Sequence, residues 1–225
     1  MSCLIVVAHP DDEVLGAGGT IYTMTKNREI VDVCILSGRA EARTNRPSDN
    51  ELVEDTDKCL ALLGVHKKYL GNFPNIKLNT VPHLELVQFI ERTIIDSGAD
   101  IVFTHHPADL NNDHLQVSLA CQAAVRLFQR RSDIQPLKEL LYMEVPSATE
   151  WGLNSSINGF RPNTFFEIGR EGIEKKIEAL SFYRSVMHEY PHPRSRETLL
   201  GLAAYRGSQA GSNYAEGFEL AIRRI

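Results

Sequence analysis

The sequence predicts an α/β fold: a Rossmann-like, mostly parallel sheet with helices on both faces and a C-terminal elaboration. Three observations predict it. Short apolar, β-branched runs recur at residues 3–8, 30–36, 67–70, 100–104 and 139–145. Stretches of helical periodicity separate them. Polar loops rich in ionisable residues follow the first and fourth runs, where open parallel sheets carry their chemistry. Repeated strand–helix units of this kind form a sheet covered on both sides.

Residues 3–8 read as a buried strand and 14–26 as a helix, opened by an acidic turn and packed through Gly16, Ala17, Gly18 and Gly19. Residues 30–36 are a second, parallel strand. A polar, Arg-bearing loop spans 37–47, and a helix follows over 48–63. Ser48 or Asp49 caps that helix, Leu52, Cys59, Leu60 and Leu63 supply its apolar face, and Gly64 ends it. After a third strand at 67–70, Pro82 opens a helix running through 95, with Leu84, Val87, Phe89, Ile90 and Ile94 as core contacts. The fourth strand covers 100–104, a helix about 114–129, and the fifth strand 139–145. From 146 onward the pattern is less regular: a loop to 162, a strand at 164–168, a helix at 171–184, a His/Pro turn at 188–193, and a helix from about 195. There is no repeat, low-complexity tract or linker. Residues 1–225 therefore read as one domain, with a core over about 1–145 and an elaboration over about 146–225.

With 225 residues, 43% of them hydrophobic and 24% charged, the chain can bury a full core without disulfides. A net charge of -5 and a pI of about 5.9 argue against a nucleic-acid partner. Cys3, Cys34, Cys59 and Cys121 form no CxxC pair and sit in apolar contexts, as reduced core thiols of a cytoplasmic protein do. The first apolar run is short and flows straight into a polar turn, so no signal peptide is expected. No stretch approaches the roughly 20 apolar residues of a membrane span.

The first polar loop reads Ala8-His9-Pro10-Asp11-Asp12-Glu13. His9 and Asp12 can share one divalent ion if the turn bends back, and an imidazole with a carboxylate suits Zn²⁺ or another divalent transition metal. Asp11 between them points elsewhere, placed to act as general base near the ion. Helix capping accounts for one such acid, or two, but not for the whole run.

The second loop, residues 104–114, holds His105, His106, Asp109, Asn111, Asp113 and His114. His114 opens a helix and is the natural third ligand, with Asp113 as support. Three ligands leave a coordination position open, as catalytic zinc sites do. His105 and His106 leave the strand toward the same crevice. Neither G-x-G-x-x-G after the strand, nor a P-loop, nor G-x-S-x-G is present.

Together these motifs resemble the LmbE-like, or PIG-L-type, deacetylase family of zinc-dependent amidohydrolases. The stretch from Arg206 to Phe218 looks like its bacterial members. The resemblance implies one zinc held by His9, Asp12 and His114, Asp11 as general base, and hydrolysis of an N-acetyl group. The substrate class implied is an N-acetylglucosamine-type sugar or its conjugate. One position departs: Asn111 stands where the family's second motif has its first histidine. Asn donates a hydrogen bond to an oxyanion but brings no charge. His106, as a catalytic group, or His105 can take that part. Arg39 and Arg43 lie on the same sheet edge and can contact sugar hydroxyls or a phosphate. His192 and Arg194 are candidate rim groups. The family is compatible with a homo-oligomer. The rival reading is a non-catalytic sugar- or nucleotide-binding protein on the same fold.

Overall fold

A computed structural model describes residues 2–39, 47–153 and 159–225. In chain order the elements are β1 (Ser2–Val7), α1 (Asp12–Lys26), β2 (Ile30–Ile35), α2 (Asp49–Leu62), β3 (Lys67–Leu70), α3 (His83–Ser97), β4 (Ile101–His105), α4 (Asn112–Ala124), β5 (Glu139–Met143), β6 (Thr164–Glu167), α5 (Gly169–Phe182), α6 (Arg196–Ala210) and β7 (Ala215–Arg223). The strands form one sheet in the order β3-β2-β1-β4-β5-β7-β6. The first five are parallel, and β7 runs antiparallel to both β5 and β6. The expected Rossmann-like, mostly parallel sheet is thus present, and residues beyond 146 extend it.

β1 is apolar without alternation because both its faces are covered. Cys3, Ile5 and Val7 pack with residues of α1, α2, α5 and α6, whereas Leu4 and Val6 pack with α3 and α4. Ser48 closes a capping box with Glu51 at the start of α2. Gly64, at φ +74°, takes the left-handed conformation that stops that helix.

Three elements differ from expectation. The helix expected to run to 129 ends at Ala124, and a separate 3₁₀ turn covers Leu127–Gln129. β7 stands where the sequence pattern predicts no strand. α1 is broken at Ala17, at φ -144° and ψ 16°.

Candidate metal centre

Because β1 has β2 on one side and β4 on the other, the chain leaves the sheet in opposite directions after β1 and β4. That divergence opens a crevice at their carboxyl ends. Both polar loops sit there.

In the first loop the carboxylate of Asp12 curls back. Its Oδ2 accepts the His9 amide at 3.0 Å and lies 3.2 Å from His9 Nδ1. The turn puts Asp11 at φ +108°, a strained conformation for a residue with a side chain. Its amide donates to Glu13 Oε2 at 3.0 Å, and Glu13 Oε1 accepts the Tyr183 hydroxyl. Glu13 is fully buried, and that burial pushes its carboxyl up to about 8 against the Tyr183 hydrogen bond.

In the second loop Asn111 caps α4 by accepting the Asp113 amide at 2.9 Å. Asp113 Oδ2 lies 3.0 Å from His9 Nε2 and accepts the Ile76 amide, while Oδ1 accepts that of Leu78. Asp109 Oδ2 accepts the Thr149 hydroxyl at 2.7 Å and lies 3.0 Å from His114 Nδ1.

His114 Nε2 reaches within 3.2 Å of the same Asp12 Oδ2. One donor atom each from His9, Asp12 and His114, all buried, therefore lie within 4.8 Å of one another. Although both His114 nitrogens are this close to carboxylates, neither makes a hydrogen bond of ordinary geometry. A buried imidazole nitrogen aimed past its neighbour fits a ligand to an ion, and an N,N,O donor set suits Zn²⁺ and related metals. The electrostatics agree. Burial opposes protonation of His114, yet Asp12 and Asp109 outweigh it and raise its pKa to about 10. Asp12 is held well below the carboxylate range against its burial, chiefly by His114. The site favours positive charge.

A second cluster, His105, Asp109 and His114, meets the same distance test. His105 Nε2, however, accepts the Ala8 amide at 2.9 Å, so the proton of its neutral ring sits on Nδ1. Burial drives its pKa down to about 3. Its ring stacks on His114 at 3.8 Å. His105 lies against the His114 ring and does not line the cleft, so the expectation that it binds substrate has no geometric basis.

The cleft has a volume of about 320 Å³ and is lined on its polar side by His9, Asp11, Asp12, His114, Arg39 and Arg194. Asn111 joins them, and with Oδ1 committed to the cap, Nδ2 is the group left for the cleft. Ile76, Leu110 and Ala148 give it an apolar wall. Arg194 Nη1 lies 3.4 Å from Asp11 Oδ2, and Nε donates to Ser147.

Two more expected site residues lie elsewhere. His106 accepts the Ala108 amide on Nδ1, faces Glu219 with Nε2 at 3.4 Å, and packs edge-on against Tyr142 and Phe160. It does not line the cleft, so the expected catalytic part has no geometric basis. His192 turns its ring to His188 and accepts the Arg194 amide. Its neighbour Arg194 faces the cleft in its place. Arg43 lies outside the described residues. The sequence reading missed Asn75, Ile76 and Ser147. Ile76 and Ser147 have positive φ, a turn feature that their residue types do not announce.

A mostly parallel α/β sheet with a buried His/Asp/His cluster at its switch point, open to a cleft, is an arrangement able to hold a metal ion. The chain belongs to the family described as PIG-L: GlcNAc-PI de-N-acetylase, which matches residues 4–125 and so includes both polar loops. Its homologues are deacetylases. YaiS of Escherichia coli K12, described as an uncharacterized deacetylase, is 27% identical over 190 residues, covering 81% of this chain and 90% of that one. The diacetylchitobiose deacetylase of Thermococcus kodakarensis is 24% identical over 229 residues, covering 95% and 80%. Among solved structures, the conserved protein TT1542 of Thermus thermophilus superposes with a TM-score of 0.81 at 23% identity, covering 100% and 96%. GalB, the 4-carboxy-2-hydroxymuconate hydratase of Pseudomonas putida KT2440, superposes with a TM-score of 0.79 at 21% identity, covering 100% and 98%. These last two likenesses show the fold. No helix among the described residues is long and apolar enough to cross a membrane.

Proposed function

We propose that the chain is a metal-dependent N-deacetylase that hydrolyses the acetamide of an N-acetylglucosamine-type sugar or conjugate, with one zinc per chain. The observation that carries this reading is the convergence of His9, Asp12 and His114 beside Asp11 in an open cleft, with His9 Nδ1 and His114 Nε2 each 3.2 Å from Asp12 Oδ2. Since a fold of this kind also serves a hydratase, fold alone does not choose the reaction. Family membership and the ligand set favour amide hydrolysis.

His9, Asp12 and His114 would hold the ion, which supplies Lewis acidity for a carbonyl and for water. Asp11 takes the proton of the attacking water and passes it to the departing amine. Arg194 orients the Asp11 carboxylate from 3.4 Å. Asn111 Nδ2 donates to the carbonyl oxygen as charge builds on it. Arg39 and Asn75, which line the cleft, meet sugar hydroxyls or a substituent. Four free, buried cysteines support a reducing compartment, the cytoplasm.

The test joins metal analysis of purified protein to amine and acetate release from a panel of N-acetylated amino sugars. About one zinc per chain is expected, with release abolished by chelation and restored by metal. Bound metal without acetate release from any acetamide would replace the deacetylase reading with the binding-protein one.

A further inference from the structure

α1 is two helical pieces that meet at Ala17. The first, 12–16, carries Asp12; the second is 18–26. In an unbroken helix Leu15 O and Gly19 N are hydrogen-bond partners. Here a buried ion pair grips each of them. Lys176 Nζ donates to Leu15 O at 2.8 Å, and Glu216 Oε1 accepts the Gly19 amide at 3.1 Å. Glu216 Oε2 accepts the Thr20 amide at 2.7 Å, and Lys176 and Glu216 meet at 2.6 Å. Lys176 comes from α5 and Glu216 from β7, and both side chains are 6% exposed. The glycines make room: a Cβ on Gly18 would sit 3.1 Å from Lys176 Cγ, and one on Gly16 would sit 2.4 Å from Met143 Sδ.

We infer that Lys176 and Glu216 are positioning residues for the metal centre, clamping the break in α1 so that the short Asp12-bearing turn keeps its direction. The inference rests on the metal reading above. The turn is gripped at both ends from one side of the fold. At its front, Tyr183, just after α5, holds Glu13, which holds the strained Asp11 amide. At its back, Lys176 holds Leu15 O. A buried ion pair is weak evidence for stability, since an apolar pair of similar volume often serves as well. What this pair supplies is direction: a cation on the Leu15 carbonyl of one piece and an anion on the Gly19 and Thr20 amides of the next.

The test measures zinc affinity by competition with a chelator, and melting of the metal-stripped protein, for Glu216→Gln, Lys176→Met and the double variant. Ile90→Val, in the core on the opposite face of the sheet, is the control for stability alone. Each single variant is expected to lose about tenfold in zinc affinity, a loss typical of residues that orient ligands. The double variant, with no unpaired buried charge, recovers melting temperature but not affinity. Ile90→Val lowers the melting temperature and leaves affinity unchanged. Single variants with wild-type affinity, a double variant that recovers both properties, or an equal affinity loss in Ile90→Val each overturn the positioning role while leaving the metal reading intact. A wild-type protein that binds no zinc overturns the metal reading, and this inference with it.

Discussion

Asp113 Oδ2 lies 3.0 Å from His9 Nε2, so the imidazole of His9 is held between two carboxylates, with Nδ1 toward Asp12. A carboxylate behind a metal-binding imidazole fixes the ring and its tautomer and makes the ligand nitrogen more basic. Asp113 is itself pinned by the Ile76 and Leu78 amides, which ties the floor of the cleft to the β3–α3 loop. Asp113→Asn loses the charge and one of the two acceptor oxygens that the Ile76 and Leu78 amides and His9 Nε2 now share. Its zinc affinity is expected to fall about 10- to 100-fold, with an unchanged circular dichroism spectrum. A competition titration that returns wild-type affinity would mean that His9 needs no support from Asp113.

Asp11 offers the sharpest separation of metal binding from chemistry. It lines the cleft beside the ligand cluster but is not a member of it. Asp11→Asn suits the site because Asn tolerates positive φ better than most residues. The variant is expected to hold wild-type zinc while kcat falls about 10²- to 10⁴-fold, the usual contribution of a positioned base. Zinc content and turnover on one N-acetylated substrate, measured on the same preparation, decide it. Full turnover would remove Asp11 from the mechanism.

The mostly parallel α/β class and both polar loops were legible because they rest on strong local signals: unbroken apolar runs and dense ionisable turns. The same signals could not say which way neighbouring side chains face. Successive residues leaving a strand point to different sides, and in the event His105 went beneath His114 and His106 went to Glu219. The His192/Arg194 pair shows the same limit, since only the turn's geometry decides which of two near neighbours looks inward. β7 carries little sequence signal because Glu216, Gly217 and Glu219 interrupt its apolar pattern. Those residues have tertiary tasks: Glu216 caps the second piece of α1, and Glu219 faces His106. The break in α1 was invisible for a related reason. Gly16, Gly18 and Gly19 allow close packing, but the partners that make the break stable lie about 160 and 200 residues further on.

The four cysteines should behave as inert core residues. All are buried, and burial pushes the thiols of Cys34 and Cys121 up to about 12. Thiolate is the reactive form, so a raised pKa and lost access act together. A disulfide reagent at pH 8 is expected to titrate no thiol in the native protein and four after denaturation. Rapid native labelling of any of them would contradict the packing around it.

Glu13 makes stability depend on pH in a direction opposite to the usual carboxylate. Its folded pKa is raised to about 8 from an ordinary value of 4.5, mainly by burial, with Asp11 adding to the rise. Between those values the folded chain holds a proton that the unfolded chain has lost. Unfolding then releases a proton, and stability falls as pH rises across that window. Glu13→Gln keeps both contacts in neutral form, because the amide oxygen accepts the Asp11 N–H and the amide nitrogen donates to the Tyr183 oxygen. His114, raised to about 10, also loses stabilising charge as pH climbs, but it does so in both proteins. The difference between them therefore isolates Glu13. Urea midpoints of the metal-stripped proteins from pH 5 to pH 8.5 should decline more steeply for wild type than for Glu13→Gln. Parallel curves would mean that Glu13 is ionised in the fold, with the Tyr183 hydroxyl and the Asp11 amide sufficient to keep its charge buried.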